Sequence, residues 1–289
     1  MKKLIKRIGV GISVLLVIIG LVYLFIYVNI KNRKEKTYAF APENIYVPRD
    51  STTIANGKHL AAIRGCNDCH GNNFAGKIMM EDPMLGRIVS SNLTRGKGGL
   101  SSDYSIPDWL MALRHGTNRE GKPLLMMPSH ETTLFSEKDL ASLIAYAQQL
   151  PPVDNELPEI KTGPIGNIMT FMDKFPLLSV EKIDHNAGMV KAVGLNTIEQ
   201  GRYLSITCKG CHKPTMKGGD AIAPGMPVVP DISSTGTAGR INFEQFMNTL
   251  RTGKKVSGEQ MNNDHMPWKM TAQYTDEEIR ALYDFLQSI

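Results

Sequence analysis

Cys66-Asn67-Asp68-Cys69-His70 recurs as Cys208-Lys209-Gly210-Cys211-His212, and these two pentapeptides use every cysteine in the chain. Cys-x-x-Cys-His is the attachment pattern for c-type haem. Each thiol can add to one haem vinyl group as a thioether, and the adjacent histidine is then held close enough to ligate the iron from one face. Other uses of paired cysteines fit less well. A zinc ribbon separates its pairs by roughly 15–20 residues, whereas almost half the chain lies between these. A thioredoxin-like pair does not explain a histidine directly after both motifs, and a structural disulfide needs neither the spacing nor the histidine. The expected cofactors are two covalently bound haem c groups, one on Cys66 and Cys69 and one on Cys208 and Cys211, with His70 and His212 as axial ligands.

An iron that only carries electrons needs a sixth ligand, and pairing methionine with histidine raises the reduction potential. Met127-Pro128 follows His70, and Met266-Pro267 follows His212, at nearly equal distances. Proline fixes φ and removes a backbone donor, which suits an extended segment laid across a haem face. Met127 and Met266 are therefore the expected sixth ligands. Met126 adjoins Met127 and competes with it, since methionine is also an ordinary gap-filler. His130 and His265 stand close enough in sequence to make bis-histidine ligation a second competitor. His59, His115 and His185 read as surface or hydrogen-bonded residues.

The elements that must position these groups also repeat. Gly57-Lys58-His59-Leu60 precedes the first motif and Gly201-Arg202-Tyr203-Leu204 the second. A helical pattern opens at Ser105-Ile106-Pro107-Asp108-Trp109 and ends at Leu113-Arg114-His115-Gly116; its counterpart opens at Asn242-Phe243-Glu244-Gln245 and ends at Leu250-Arg251-Thr252-Gly253. Glycine is the usual stop after a helix. Ser136-Glu137-Lys138-Asp139 and Thr275-Asp276-Glu277-Glu278 resemble capping boxes that open amphipathic helices ending near Leu150 and Ile289. One helical unit of about 100 residues has been duplicated. A large flat apolar ring would complete the core of so small a unit, so loss of haem is expected to unfold it.

From Ile8 to Val28 the chain carries no charge and is dominated by Ile, Leu, Val and aromatics, enough for one membrane-spanning helix. A cleaved secretory signal has an apolar region of about 7–15 residues followed by a small-residue cleavage site. The nearest such site, Ala39-Phe40-Ala41, lies beyond Lys31, Arg33, Lys34 and Lys36 and before Pro42. Basic residues flank both ends of the span, so charge bias alone does not orient it.

The net charge of +5 belongs to those flanks. Residues 1–36 hold eight Lys/Arg and one Glu, leaving 25 basic against 27 acidic residues in the remainder. Basic flanks suit anionic lipid, and the near-neutral remainder argues against a nucleic-acid partner.

In these motifs the chain resembles the class I cytochrome c family, in particular the tandem cytochrome c subunits that accompany membrane-bound bacterial dehydrogenases. The residues that carry the likeness are the two pentapeptides, Ser91-Asn92-Leu93-Thr94, the Leu-Arg-x-Gly helix ends, Met127-Pro128 and Met266-Pro267-Trp268, and it covers roughly residues 48–289. It implies an all-α fold of two tandem cytochrome c-like domains after one N-terminal transmembrane helix. The expected boundaries are an anchor at 1–36 with its span at 8–28, a first domain at 45–154, an interdomain strap at 155–194 and a second domain at 195–289.

The resemblance also implies attachment of haem outside the cytoplasmic membrane, hence a single-pass inner-membrane protein with periplasmic haem domains. The function expected is electron transfer rather than catalysis, from a dehydrogenase or quinol-oxidising complex to a terminal oxidase or soluble cytochrome. A cytochrome subunit of a haem–copper oxidase, or a dihaem enzyme such as a peroxidase or thiosulfate dehydrogenase, are the rival readings. Arg114, Arg251, Trp109 and Trp268 are candidates for haem propionate contacts, with helix-end solvation and core packing as alternatives. The apolar run from Ile168 to Leu178 is read as a strap over the domain interface, or else a surface for a membrane partner. Asn92-Leu93-Thr94 is formally a glycosylation sequon, discounted for a chain of bacterial character.

Overall fold

The computed structural model describes residues 2–191, 197–222 and 226–289. In chain order its elements are α1 (Lys2–Glu35), α2 (Ser51–Ile63), α3 (Cys66–His70), β1 (Lys77–Asp82), β2 (Gly86–Ser90), α4 (Ile106–Leu110), α5 (Ser129–Thr132), α6 (Glu137–Ala147), β3 (Lys161–Thr162), α7 (Pro164–Phe171), α8 (Thr197–Leu204), α9 (Lys209–His212), α10 (Phe243–Thr252), α11 (Trp268–Thr271) and α12 (Asp276–Gln287). The protein is helix-rich, at 48% helical, but it is not purely helical. β1, β2 and β3 form an antiparallel sheet in that order, with Lys77 opposite Ser90, Gly86 opposite Thr162, and a register shift between Ile78 and Met80. The all-α expectation is corrected to that extent. β1 is mostly exposed and lacks clean alternation, so its pairing depends on partners that only the folded chain supplies.

By packing, the chain groups into two compact units: residues 1–44, 75–133 and 152–186 in one, and residues 45–74, 134–151 and 187–289 in the other. Packing thus draws α2, α3 and α6 into the same unit as the second Cys-x-x-Cys-His segment. The expected border between strap and second domain, at 194 and 195, lies outside the described residues.

In the first unit, α1 is exposed along nearly its whole length, and it is long and apolar enough to cross a membrane. Only Ile26 and Ile30 on it are buried. A small core gathers Ile88 of β2 with Leu177 and Leu178, and Met80, Leu125, Met126 and Phe175 pack against it. The stretch expected to be a strap therefore folds into β3 and α7 and gives two leucines to this core. Ser105 caps α4 in a reciprocal box with Asp108, and the helix runs on through a π turn, Met111–His115, to Gly116 in the left-handed region.

In the second unit, α2 crosses α6 and α8 crosses α12, each at a glycine. A Cβ on Gly57 would stand 1.9 Å from the Ser142 carbonyl oxygen, and one on Gly201 would stand 1.9 Å from that of Ala281. Only a missing side chain lets the backbones approach this closely. Asn242 with Gln245 and Thr275 with Glu278 form full capping boxes for α10 and α12. Ser136 caps α6 without the reciprocal arm: its N–H donates to the Tyr203 hydroxyl at 2.8 Å, and that hydroxyl donates to the Asp139 carboxylate at 2.6 Å. At the matching place Glu278 meets His59, Nε2 to Oε at 2.9 Å. His59 and Tyr203 are the repeat equivalents on α2 and α8, so each repeat's first helix is tied to the other repeat's last.

Candidate functional site

No disulfide joins any of the four cysteines. α3 carries Cys66, Cys69 and a buried His70, while Cys208 ends a 3₁₀ turn and α9 carries Cys211 and a buried His212. Beyond each histidine the backbone turns alike. Gly71 adopts φ 79, ψ 163 and Lys213 adopts φ 66, ψ 166. Three residues further on, Phe74 (φ 58) and Met216 (φ 59) are both left-handed and both buried. A left-handed conformation is costly for side chains of this size. Its recurrence at the same offset makes the two turns structural equivalents.

His212 can be read atom by atom. Its Nδ1 lies 2.9 Å from the Pro230 carbonyl oxygen, which can only accept, so Nδ1 carries the hydrogen and Nε2 keeps its lone pair. Burial holds the imidazole's pKa below the usual histidine value, against a smaller opposing effect of that hydrogen bond. A neutral, oriented imidazole with one free nitrogen, four residues after a thiol and directly after another, is the donor set that covalent haem requires.

The Met-Pro segments also match. Pro128 has φ −79, ψ 53 and Pro267 has φ −74, ψ 66, and each opens a single helical turn, α5 or α11. The Met127 carbonyl accepts from Ser129 N at 2.8 Å and the Met266 carbonyl from Trp268 N at 2.7 Å. Thr132 Oγ1 donates to the Leu113 carbonyl, and Thr271 Oγ1 to the Leu250 carbonyl at 3.0 Å. These leucines belong to the two Leu-Arg-x-Gly helix ends, whose Gly116 and Gly253 are both left-handed with φ 68. Met127 and Met266 are each half-buried.

The competing ligands are placed differently. Met126 sits at φ 64, donates its N–H to the Leu177 carbonyl and packs on the core of the first unit. His130 Nδ1 bonds to Ser179 Oγ at 3.0 Å, and His265 is exposed. The candidate propionate contacts are taken up by protein groups. Arg114 grips Glu43 through Nε at 2.6 Å and Nη2 at 3.0 Å. Arg251 donates to the Ala272 carbonyl and to Asp276, each at 2.6 Å. Trp109 is buried edge-to-face against Tyr104, and the Trp268 indole lies over Gly253. Asn92 is buried, with its side chain bonded to Thr94 and to the Val153 carbonyl, so it offers no acceptor for glycan.

Two groups escaped the sequence reading. Arg64, two residues before Cys66, is buried between the Phe135 and Tyr203 rings, 4.7 and 4.8 Å from their centroids. Its Nη1 donates to the carbonyls of Tyr203 and Leu204, while Nε and Nη2 have no acceptor and no carboxylate pairs with it among the described residues. The wholly buried Tyr274 hydroxyl, beside Thr207 and near Cys208, also lacks a hydrogen bond of good geometry. Arg64 thus carries a buried positive charge from the first attachment segment to the residues just ahead of the second. In the first unit, His115 and His185 share a hydrogen bond between their Nδ1 atoms at 3.0 Å, and Phe40 stacks on both rings at 4.3 Å.

Residues 198–289 match the cytochrome c family, and this stretch contains the second Cys-x-x-Cys-His segment and Met266. The chain is 24% identical over 259 residues to the fructose dehydrogenase cytochrome subunit of Gluconobacter japonicus, covering 82% of this chain and 52% of that protein. It is 24% identical over 272 residues to the cytochrome c subunit of a quinone alcohol dehydrogenase from Gluconobacter oxydans, covering 83% and 55% respectively. A shorter stretch of 98 residues, 32% of this chain and 22% of the relative, is 36% identical to the gluconate 2-dehydrogenase cytochrome c subunit of Pantoea cypripedii. The chain spans about half the length of the two relatives that it matches along most of its own.

Proposed function

We propose that this chain is a membrane-anchored dihaem cytochrome c that receives electrons from a dehydrogenase and hands them on to a terminal oxidase or soluble carrier. The observation that carries the reading is the duplicated geometry: two Cys-x-x-Cys-His turns with the same backbone path, and two Met-Pro turns pinned by the same threonine bond. On this reading the tandem domains are residues 45–154 and 195–289, α1 anchors them in the inner membrane, and both face the periplasm. The names of the relatives favour a dehydrogenase as the electron donor. They are cytochrome subunits, which supports an electron-transfer subunit and not a catalyst.

When bound, haem supplies the one-electron ferric/ferrous couple. The protein's residues supply the rest. Cys66, Cys69, Cys208 and Cys211 would form the thioethers. His70 and His212 would each offer an imidazole nitrogen to iron, and the Pro230 carbonyl holds the His212 ring in the tautomer that leaves Nε2 available. Met127 and Met266 would each offer a thioether sulfur, on segments whose prolines have no N–H to satisfy. Arg64 places a buried positive charge beside both attachment segments, which favours the less positive, reduced state of each site. Fixed ligands in a buried setting leave little to rearrange when an electron arrives.

Purification of the intact complex from native membranes tests the partner. A dehydrogenase catalytic subunit is expected to co-migrate with this chain. Recovery with haem–copper oxidase subunits and no dehydrogenase would contradict the proposal.

A further inference from the structure

Helix α7, Pro164–Phe171, is built inside out for a helix that packs on a protein. The residues it turns inward are small or polar: Gly166, Asn167 and Thr170 are buried, and a Cβ on Gly166 would stand 2.2 Å from the Leu85 carbonyl oxygen. The residues it turns outward are large and apolar. Ile165 is 40% exposed, Phe171 38% and Met172, just past the helix, 60%, with Ile168 and Met169 half-exposed beside them. Water-facing helices show the opposite arrangement, and a contiguous apolar face of this kind marks an interaction surface.

The position of α7 says what covers that face. It packs on the last turns of α1, where the otherwise exposed helix buries Ile26 and Ile30. The Phe171 ring stands edge-on to Phe25 with centroids 6.0 Å apart. Phe25 lies three residues inside the apolar span that ends at Val28, about 4.5 Å below its edge at helical rise. Polar anchors fix the level of the flanks. Arg33 pairs with Glu181 and, at 3.8 Å, with Asp173, while Lys34 Nζ donates to Thr162 Oγ1 at 3.0 Å. Charged groups above and an apolar face at the depth of the spanning segment are the pattern of a helix lying in a membrane interface.

We infer that α7 is a second membrane-contacting element, seating Ile165, Phe171 and Met172 among the lipid chains of the leaflet at the C-terminal end of α1. The inference rests on α1 being a membrane anchor. It adds that the first unit is held against the bilayer surface by two elements and cannot swing freely about one helix.

The test is photolabelling of the full-length holoprotein in phosphatidylethanolamine/phosphatidylglycerol vesicles that contain a diazirine-bearing phospholipid, with adducts mapped by mass spectrometry. Adducts on 164–172 at a density comparable with 8–28, and none on the exposed loop at 254–260, are expected. Adducts on 8–28 alone would overturn the inference and leave the anchor standing. Adducts on neither segment would overturn the anchor and the inference together.

Discussion

Replacing Gly201 by alanine gives a sharp test of the packing, because propensity and structure predict opposite signs. In an unobstructed helix the change stabilises by about 0.8–1.0 kcal/mol. Here the new Cβ would stand 1.9 Å from the Ala281 carbonyl oxygen and 2.6 Å from Phe285 Cβ. Carbon and oxygen need roughly 3.3 Å, so α8 and α12 must part by about 1.4 Å. The obstacle is backbone and cannot rotate away. Parting loosens the face of α12 on which Ile279, Leu282, Phe285 and Leu286 are buried. Overpacking costs about 1–3 kcal/mol, and a backbone clash belongs at the upper end. After the propensity gain, the net loss is about 2 kcal/mol, or about 4–8 °C in Tm for a unit of this size. Thermal unfolding of the holoprotein, followed by circular dichroism, measures it. Gly57→Ala, facing Ser142 in the equivalent crossing, should fall in the same direction. A Gly201→Ala protein as stable as the parent, or more so, would refute the close crossing of α8 and α12.

Arg64→Met keeps most of the packing volume and removes the buried charge; both haem potentials should fall, by on the order of tens of mV at an effective dielectric of about 20. A redox titration in which neither potential moves would remove Arg64 from the account. Met266→His should lower the potential of the second haem alone and abolish its share of the sulfur-to-iron charge-transfer band, whereas His265→Ala should change neither. The reverse pattern would make His265 the ligand. Burial, opposed by Glu43 and aided by His185 and Arg114, holds the pKa of His115 below the usual histidine value. The unfolded chain then binds the proton that the folded chain refuses, so this contribution to stability is full above about pH 6.5 and is lost as the pH falls towards the folded value. Denaturant unfolding between pH 8 and 5 should show the loss, and His115→Gln should flatten it.

Much of the candidate site was legible because its signals are local. The two pentapeptides, the two Met-Pro pairs, the glycine stops and the caps at Ser136, Asn242 and Thr275 each declare themselves within a few residues, and each helix start lies where its cap says. What the sequence hid depends on partners far along the chain. Lys77–Asp82 becomes a strand only through β2, and β2 gains its second neighbour from Lys161 and Thr162. Asp139 looks like a capping-box residue until Tyr203 arrives to take its carboxylate. Arg64 reads as an ordinary helix-end cation, yet two aromatic rings and two distant carbonyls bury it. The apolar run around α7 was visible, but its outward orientation was not, since a hydrophobic period does not say which side faces protein.

The central claim is that both Cys-x-x-Cys-His segments carry haem, and intact mass of the denatured protein tests it most directly. From cells competent for cytochrome maturation, the polypeptide mass should be raised by two haem groups that survive denaturation, and a Cys66→Ala, Cys69→Ala variant should carry one. A single haem addition on the unsubstituted chain, or none, would contradict the account.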